Sequence, residues 1–337
     1  MEAFPQTRFA PLRVKVFFWA LLGALSVFFA EVVSNSSPFP FFTAWGWAAV
    51  IPLYALHALA LASLVFRQKR ADFSALFIAG ALFGMYEAYI TKVFWSPTWG
   101  EKTFYFAGVY WLQTLTLVFF WHPWMAFILP LFVAENFFTD SSETLDALKP
   151  KFHWAALVIL FAAYSALYKS FSAEDLSAAL LSIFSNLLVL WALGRLWLKI
   201  KGDSIFSLRD VLPSPRQSTG IWILLGGFYL AAGLLLRPEA LPRSFGAHFT
   251  VWMLYAVLLA GYIIHARRAP VFTGGIAPSA LMKKRGQIFF AFSAFFFALT
   301  ALFFWMKPLS MLVIALSWLA GILLGASFLA RSIWRKP

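Results

Sequence analysis

The sequence predicts an all-α, polytopic integral membrane protein with about ten transmembrane helices. Three observations carry that reading: 62% of the 337 residues are hydrophobic, only 12% are charged, and bilayer-length apolar stretches recur along the whole chain. Soluble domains carry roughly 25% charged residues, and one span needs about 20 consecutive apolar ones. The 40 Phe and 16 Trp supply much of the apolar surface, and aromatic rings also anchor helices at membrane interfaces.

The apolar windows fall near 15–35, 43–66, 72–95, 104–124, 153–169, 177–199, 219–236, 248–266, 285–306 and 308–331. Arg8, Arg13 and Lys15 precede the first window, and no small-residue cleavage pattern follows it, so it reads as a retained span. A further apolar piece near 124–138 is opened by His122-Pro123 and interrupted by Pro130. As a complete extra span it would move every later loop across the membrane and leave most of the 27 Lys and Arg residues outside. As a re-entrant or interfacial helix it keeps most of them inside, including Arg67-Gln68-Lys69-Arg70, the loop from Arg195 to Arg216 and the segment from Arg267 to Arg285. The positive-inside rule selects the second arrangement. Both termini are then cytoplasmic, and the expected location is a bacterial or archaeal cytoplasmic membrane.

Residues 1–138, helices 1–4 with the re-entrant segment, are expected to form a polar-site-bearing half, and 139–337, helices 5–10, a membrane scaffold half. The longest polar segments, near 200–218 and 267–284, are too short for a soluble catalytic domain. The net charge of +13 lies in short clusters between apolar runs, which fits topology and not nucleic-acid binding. The absence of cysteine excludes a disulfide scaffold, thiol catalysis and thiolate-held iron–sulfur centres.

The candidate site centres on Glu87, an ionisable group inside an apolar span, where its cost calls for a partner or a function. Gly80, Gly84 and Ala88 recur beside it every four residues, a spacing that lets a neighbouring backbone approach closely. Glu87 should therefore face protein. Counting along the helices puts Glu31, near the end of helix 1, and Gln113, in helix 4, at a similar depth, with His57 deeper in helix 2. Tyr86, Tyr89 and His57 are the expected partners of Glu87, while Lys92 is expected to snorkel toward the surface. These six residues, Glu87, Glu31, His57, Gln113, Tyr86 and Tyr89, are the substrate- or proton-binding candidates. His122 and Glu135, at the ends of the re-entrant segment, are candidates for a gate or vestibule. In the second half, Gly321 and Gly325 in helix 10 and Gly226, Gly227 and Gly233 in helix 7 read as packing positions.

Several chemistries are unsupported. The histidines at 57, 122, 153, 248 and 265 include no pair at helical spacing for a metal. No GxxxxGK[ST] loop, GxGxxG fingerprint, GxSxG elbow or DxxxD cluster occurs. No metal or other cofactor is expected. Pro38-Phe39-Pro40-Phe41, Trp47 with Pro52, the basic turn at 67–70 and the Gly-rich third helix together resemble the membrane half of apolipoprotein N-acyltransferases. That family acts through a cysteine and this chain has none, so the resemblance carries no activity across.

Three function classes follow. The leading expectation is a transporter or permease whose outward-facing intramembrane carboxylate binds a proton or a cationic group. The second is a membrane-embedded enzyme acting on a lipid or lipid-linked substrate at the outer leaflet, with Glu87 as general acid or base. The third is a non-catalytic subunit or assembly factor. Membrane lipids are the expected partners, with a small-molecule or lipid substrate and a membrane-protein partner as further expectations, and no nucleic acid.

Overall fold

Caps and prolines set where the apolar runs become helices. The computed structural model describes residues 10–67, 72–99, 102, 104–144, 154–166, 173–268 and 283–334. Ten long helices run through them: α1 (Leu12–Val32), α2 (Gly46–Arg67), α3 (Phe73–Ile90), α4 (Trp111–Phe138), α5 (Trp154–Ser165), α6 (Ala173–Lys201), α7 (Pro215–Leu235), α8 (Phe245–Arg268), α9 (Arg285–Trp305) and α10 (Lys307–Trp334). Among the described residues, all of these except α5 are long and apolar enough to cross a bilayer. The polytopic all-α membrane fold is thereby borne out.

Local chemistry explains where boundaries differ from the apolar windows. Asp72 opens α3 by accepting a hydrogen bond from the Ala75 amide at 2.9 Å, the usual way an orphan donor is satisfied at a helix start. α3 stops at Ile90, not 95, because the turn that follows places Lys92 at φ +63°. α7 begins ahead of its apolar window, where Ser214 and Gln217 form a reciprocal capping box around Pro215. Residues 105–110 form a hairpin, with β1 (Tyr105–Phe106) antiparallel to β2 (Val109–Tyr110). Ala107 and Gly108, at φ +50° and +79°, give the tight turn its left-handed twist.

The segment near 124–138 calls for a correction. It is neither re-entrant nor interfacial as a separate piece but the second half of α4, which runs unbroken from Trp111 to Phe138. Proline removes an N–H and clashes with the preceding turn of a regular helix. Here Leu117–Ile128, with Pro123 inside it, winds as a wider π-helix, and regular α winding resumes at Leu129, next to Pro130. The break that the sequence suggests is absorbed within the helix, and the segment adds no crossing of its own.

α3 and α4 approach backbone to backbone. A Cβ on Gly80 would lie 2.5 Å from Pro123 Cα, and one on Gly84 would lie 2.8 Å from the Leu117 carbonyl oxygen. The glycine stripe does what its spacing implies. Gly321 and Gly325 of α10 instead make room for side chains of α4, seating Phe120 and Phe119. α1 joins this core through Ser26 Oγ, which donates to the Ala126 carbonyl at 2.5 Å, and Trp121 Nε1, which donates to the Ala30 carbonyl at 3.1 Å.

The far end of α4 closes in a polar clamp. Asp140 pairs with Lys201 at 2.9 Å, and Arg209 holds Glu143 through a bidentate contact at 2.8–3.1 Å. Lys15 Nζ and Trp19 Nε1 of α1 donate to the Leu212 and Val211 carbonyls at 3.0 and 2.8 Å.

Adding a methyl group at Gly80 should destabilise the protein by about 1–3 kcal/mol, the scale of overpacking a tight core, because backbone opposes the new atom. At Gly226 and Gly227 nothing lies within 4 Å of an added Cβ. Thermal unfolding in detergent should therefore fall for Gly80→Ala and hold or rise for Gly226→Ala.

Candidate functional site

The close approach at Gly80 and Gly84 brings the polar side chains of four helices together. Glu31 projects from the π turn Phe28–Val32 at the end of α1, Tyr54 and His57 lie three residues apart on α2, Glu87 is on α3, and His122 lies in the π stretch of α4. The Tyr54 hydroxyl lies 2.5 Å from Glu31 Oε1 and 3.0 Å from Glu87 Oε2. His122 Nε2 is in direct hydrogen-bond contact with Glu87 Oε2. The His122 side chain is 1% exposed and that of Glu87 14%, while Tyr54 is 2% exposed. At the other end, exposed Ser36 donates to Glu31 Oε2 at 2.8 Å and lies 2.6 Å from the Ser34 hydroxyl. One hydrogen-bonded chain thus runs from Ser36 through Glu31, Tyr54 and Glu87 to His122.

Proton counting constrains this chain. A phenol carries one proton, so Tyr54 can donate to one carboxyl group while accepting from the other only if that other is protonated. His122 Nδ1 lies 3.3 Å from the Leu117 carbonyl, which can only accept, so Nδ1 bears a hydrogen. A second proton then sits between Nε2 and Glu87. The arrangement suits groups that share protons and can pass them along.

His57 flanks the chain. Its ring stacks on Phe83 at 4.2 Å and meets the Tyr86 edge at 4.1 Å. Nδ1 lies 2.8 Å from the Leu53 carbonyl, while Nε2, buried, has no hydrogen-bond partner. Its position is next to the cluster but its polar reach is turned along its own helix.

The remaining candidates go elsewhere. Tyr86 donates to the Leu225 carbonyl of α7 at 2.7 Å, and Tyr89 stacks on Tyr229 of α7 at 4.7 Å, so both face α7 and not the carboxylates. Gln113 is buried in the first turn of α4, and no hydrogen bond of Glu31 or Glu87 reaches it. Glu135 is in the last turns of α4, far along the helix from His122. It accepts from Ser141 Oγ at 2.6 Å, from the Glu143 and Thr144 amides at 2.8 and 2.7 Å, and from Thr144 Oγ1 at 2.5 Å. Those four bonds fold the following loop back onto the helix end.

Lys92 does not snorkel. It is fully buried, donating to the Ile90 carbonyl at 3.0 Å and to the Ala232 carbonyl near the end of α7 at 3.3 Å. Burial, reinforced by nearby Arg237, holds its ammonium below the usual lysine value. Arg237, itself in the left-handed region at φ +51°, donates to the Thr91 and Ser96 carbonyls at 2.9 and 3.0 Å. The two cations tie the end of α3 to the end of α7.

Sequence reasoning misses Tyr54 and misplaces His122. The available signal for Tyr54 is its three-residue spacing from His57, which puts both on one face of α2. Among the described residues, no three His, Asp or Glu side chains gather as metal ligands.

Fold and site together define a polytopic membrane protein with a carboxylate–tyrosine–histidine chain buried among its first four helices. Residues 20–336 match the model of the Uncharacterized membrane protein family, and the chain belongs to that family. It is 39% identical over 251 residues to an Archaeoglobus fulgidus protein described as "Uncharacterized protein", covering 73% of this chain and 76% of that one. No solved structure matches it.

Removing one member of a buried pair strands the other, at a cost of about 3–5 kcal/mol. Glu87→Ala and His122→Ala should each lower the unfolding temperature sharply, and the double variant should lose less than the sum. A double-mutant cycle is expected to give a coupling of at least about 1 kcal/mol; additive losses would show that the contact contributes nothing.

Proposed function

We propose that the protein is a proton-coupled permease in which Glu31, Tyr54, Glu87 and His122 form the proton-binding site. The observation that carries this reading is the unbroken hydrogen-bonded chain from exposed Ser36 to buried His122. Intramembrane acids paired with histidine and open at one end to a surface mark proton pathways more often than inert packing. A proton arriving through Glu31 would redistribute the hydrogen bonds that hold α1, α2, α3 and α4 together. Two helix arrangements that differ in affinity for that proton would then be interconverted by it. The cargo fitting this site is a small cation or cationic organic solute exchanged against the proton.

The orientation belongs to the same proposal. Arg67, Lys201, Arg209, Arg268 and Arg331 lie at helix ends or loops opposite to Ser36 and Glu31, so the positive-inside rule puts the termini in the cytoplasm and the Ser36 end outside. The natural absence of cysteine makes this direct to test. A single cysteine at Ser36 should react with an impermeant maleimide on intact cells, and one at Ser204 only after lysis; the reverse pattern would invert the topology.

Transport is tested in proteoliposomes that enclose a pH dye, held under an imposed pH gradient and challenged with a panel of metal, amine and quaternary cations. Wild type should show cation-dependent proton movement, and Glu87→Gln should abolish it. Tyr54→Phe should slow it by roughly 100-fold, the scale of losing a positioned proton-transfer group. If no cation moves protons through wild type while Glu87→Gln changes only thermal stability, the cluster is a packing clamp and the transport reading fails.

A further inference from the structure

A second feature lies apart from the carboxylate chain. A half-open cavity of about 1010 Å³ runs between α6 and α9, floored by α1 and the second half of α4. Its volume is at the upper end of small-molecule sites, which span about 300–1,000 Å³. Phe28, Leu129, Trp191 and Phe292 are among its apolar walls. Leu188, Phe290 and Phe295 beside it are exposed, so its mouth opens sideways into the hydrocarbon layer.

One end differs. Arg195, near the end of α6, and Lys283 and Arg285, at the start of α9, line the cavity there. No acidic side chain is among the described lining residues. The N-terminus of α9 adds its positive dipole at that end. An apolar slot closed by three cations matches one ligand chemistry: hydrocarbon chain below, anionic headgroup above.

We propose that this cleft binds an anionic phospholipid, with its phosphate held by Arg195 and Lys283 beside Arg285 and an acyl chain lying between α6 and α9. The slot's depth distinguishes this from annular lipid, since its lining comes from five helices, α5 contributing Ile159 and Phe161, and not from one face. Gly286, beside Arg285, lines the slot with nothing within 4 Å of an added Cβ, so a bulky side chain there obstructs the slot without opposing the backbone.

Native mass spectrometry of the full-length protein, purified in detergent and exchanged with phosphatidylglycerol or phosphatidylcholine, reads the site directly. Phosphatidylglycerol should stay bound while phosphatidylcholine washes off, and excess inorganic phosphate should not displace it. Arg195→Glu with Lys283→Glu should weaken retention by roughly thirtyfold, and Gly286→Trp should remove the lipid while leaving thermal unfolding unchanged. If charge reversal disturbs folding, Arg195→Gln with Lys283→Gln gives the same direction with a smaller loss. Equal retention of both lipids, retention unchanged in both variants, or displacement by inorganic phosphate would overturn the proposal.

Discussion

Everything in the site depends on how closely α3 approaches α4. With no side chain at Gly80 and Gly84, the α3 backbone meets Pro123, Leu117 and Val118 at distances no larger residue allows. In lipid, where apolar surface gains little from leaving one greasy environment for another, such contacts and the hydrogen bonds they permit carry association. Glu87 is one turn beyond Gly84, so the same contact that packs the helices sets its carboxylate against His122. Without this approach both groups would be ionisable side chains stranded at membrane depth.

The two ends of the bundle solve the problem of helix termini differently. Near Glu135 the chain folds back on itself, with loop amides and hydroxyls saturating one carboxylate and two ion pairs holding α4 and α6 to the neighbouring loop. Near Lys92 and Arg237 two cations in left-handed backbone supply donors for carbonyls that the helix ends leave open. The first is rigidly satisfied from within the loop. The second depends on two long side chains reaching between helices, and Glu31 lies at this more adaptable end.

Much of the architecture was legible because hydrophobic length is a strong signal: each window has a helix at its centre. Glu87 and its glycine stripe were legible for the same reason, since a charge and a four-residue repeat both stand out in an apolar run. The partners were not. Tyr54 looks like one more aromatic among many, and only tertiary contact makes its hydroxyl a bridge. His122 beside Pro123 reads as the end of a helix, because sequence patterns presuppose the regular ladder and do not register a π winding that carries proline through. The hairpin at 105–110 was hidden by aromatics that suit a span as well as a strand, and the burial of Lys92 depends on a turn conformation that composition does not encode.

The π stretch has a consequence of its own. A twelve-residue run of wide turns, Leu117–Ile128, is a poorer ladder than the α-helix it replaces, and Pro123 is what denies the backbone the better choice. Each wide turn also changes the angle at which later side chains leave the axis. His122 leaves α4 within this wide stretch, on the side that meets Glu87. The same device recurs on a smaller scale in two neighbours, where π turns at Phe28–Val32 of α1 and Gly46–Val50 of α2 re-aim the side chains that follow them.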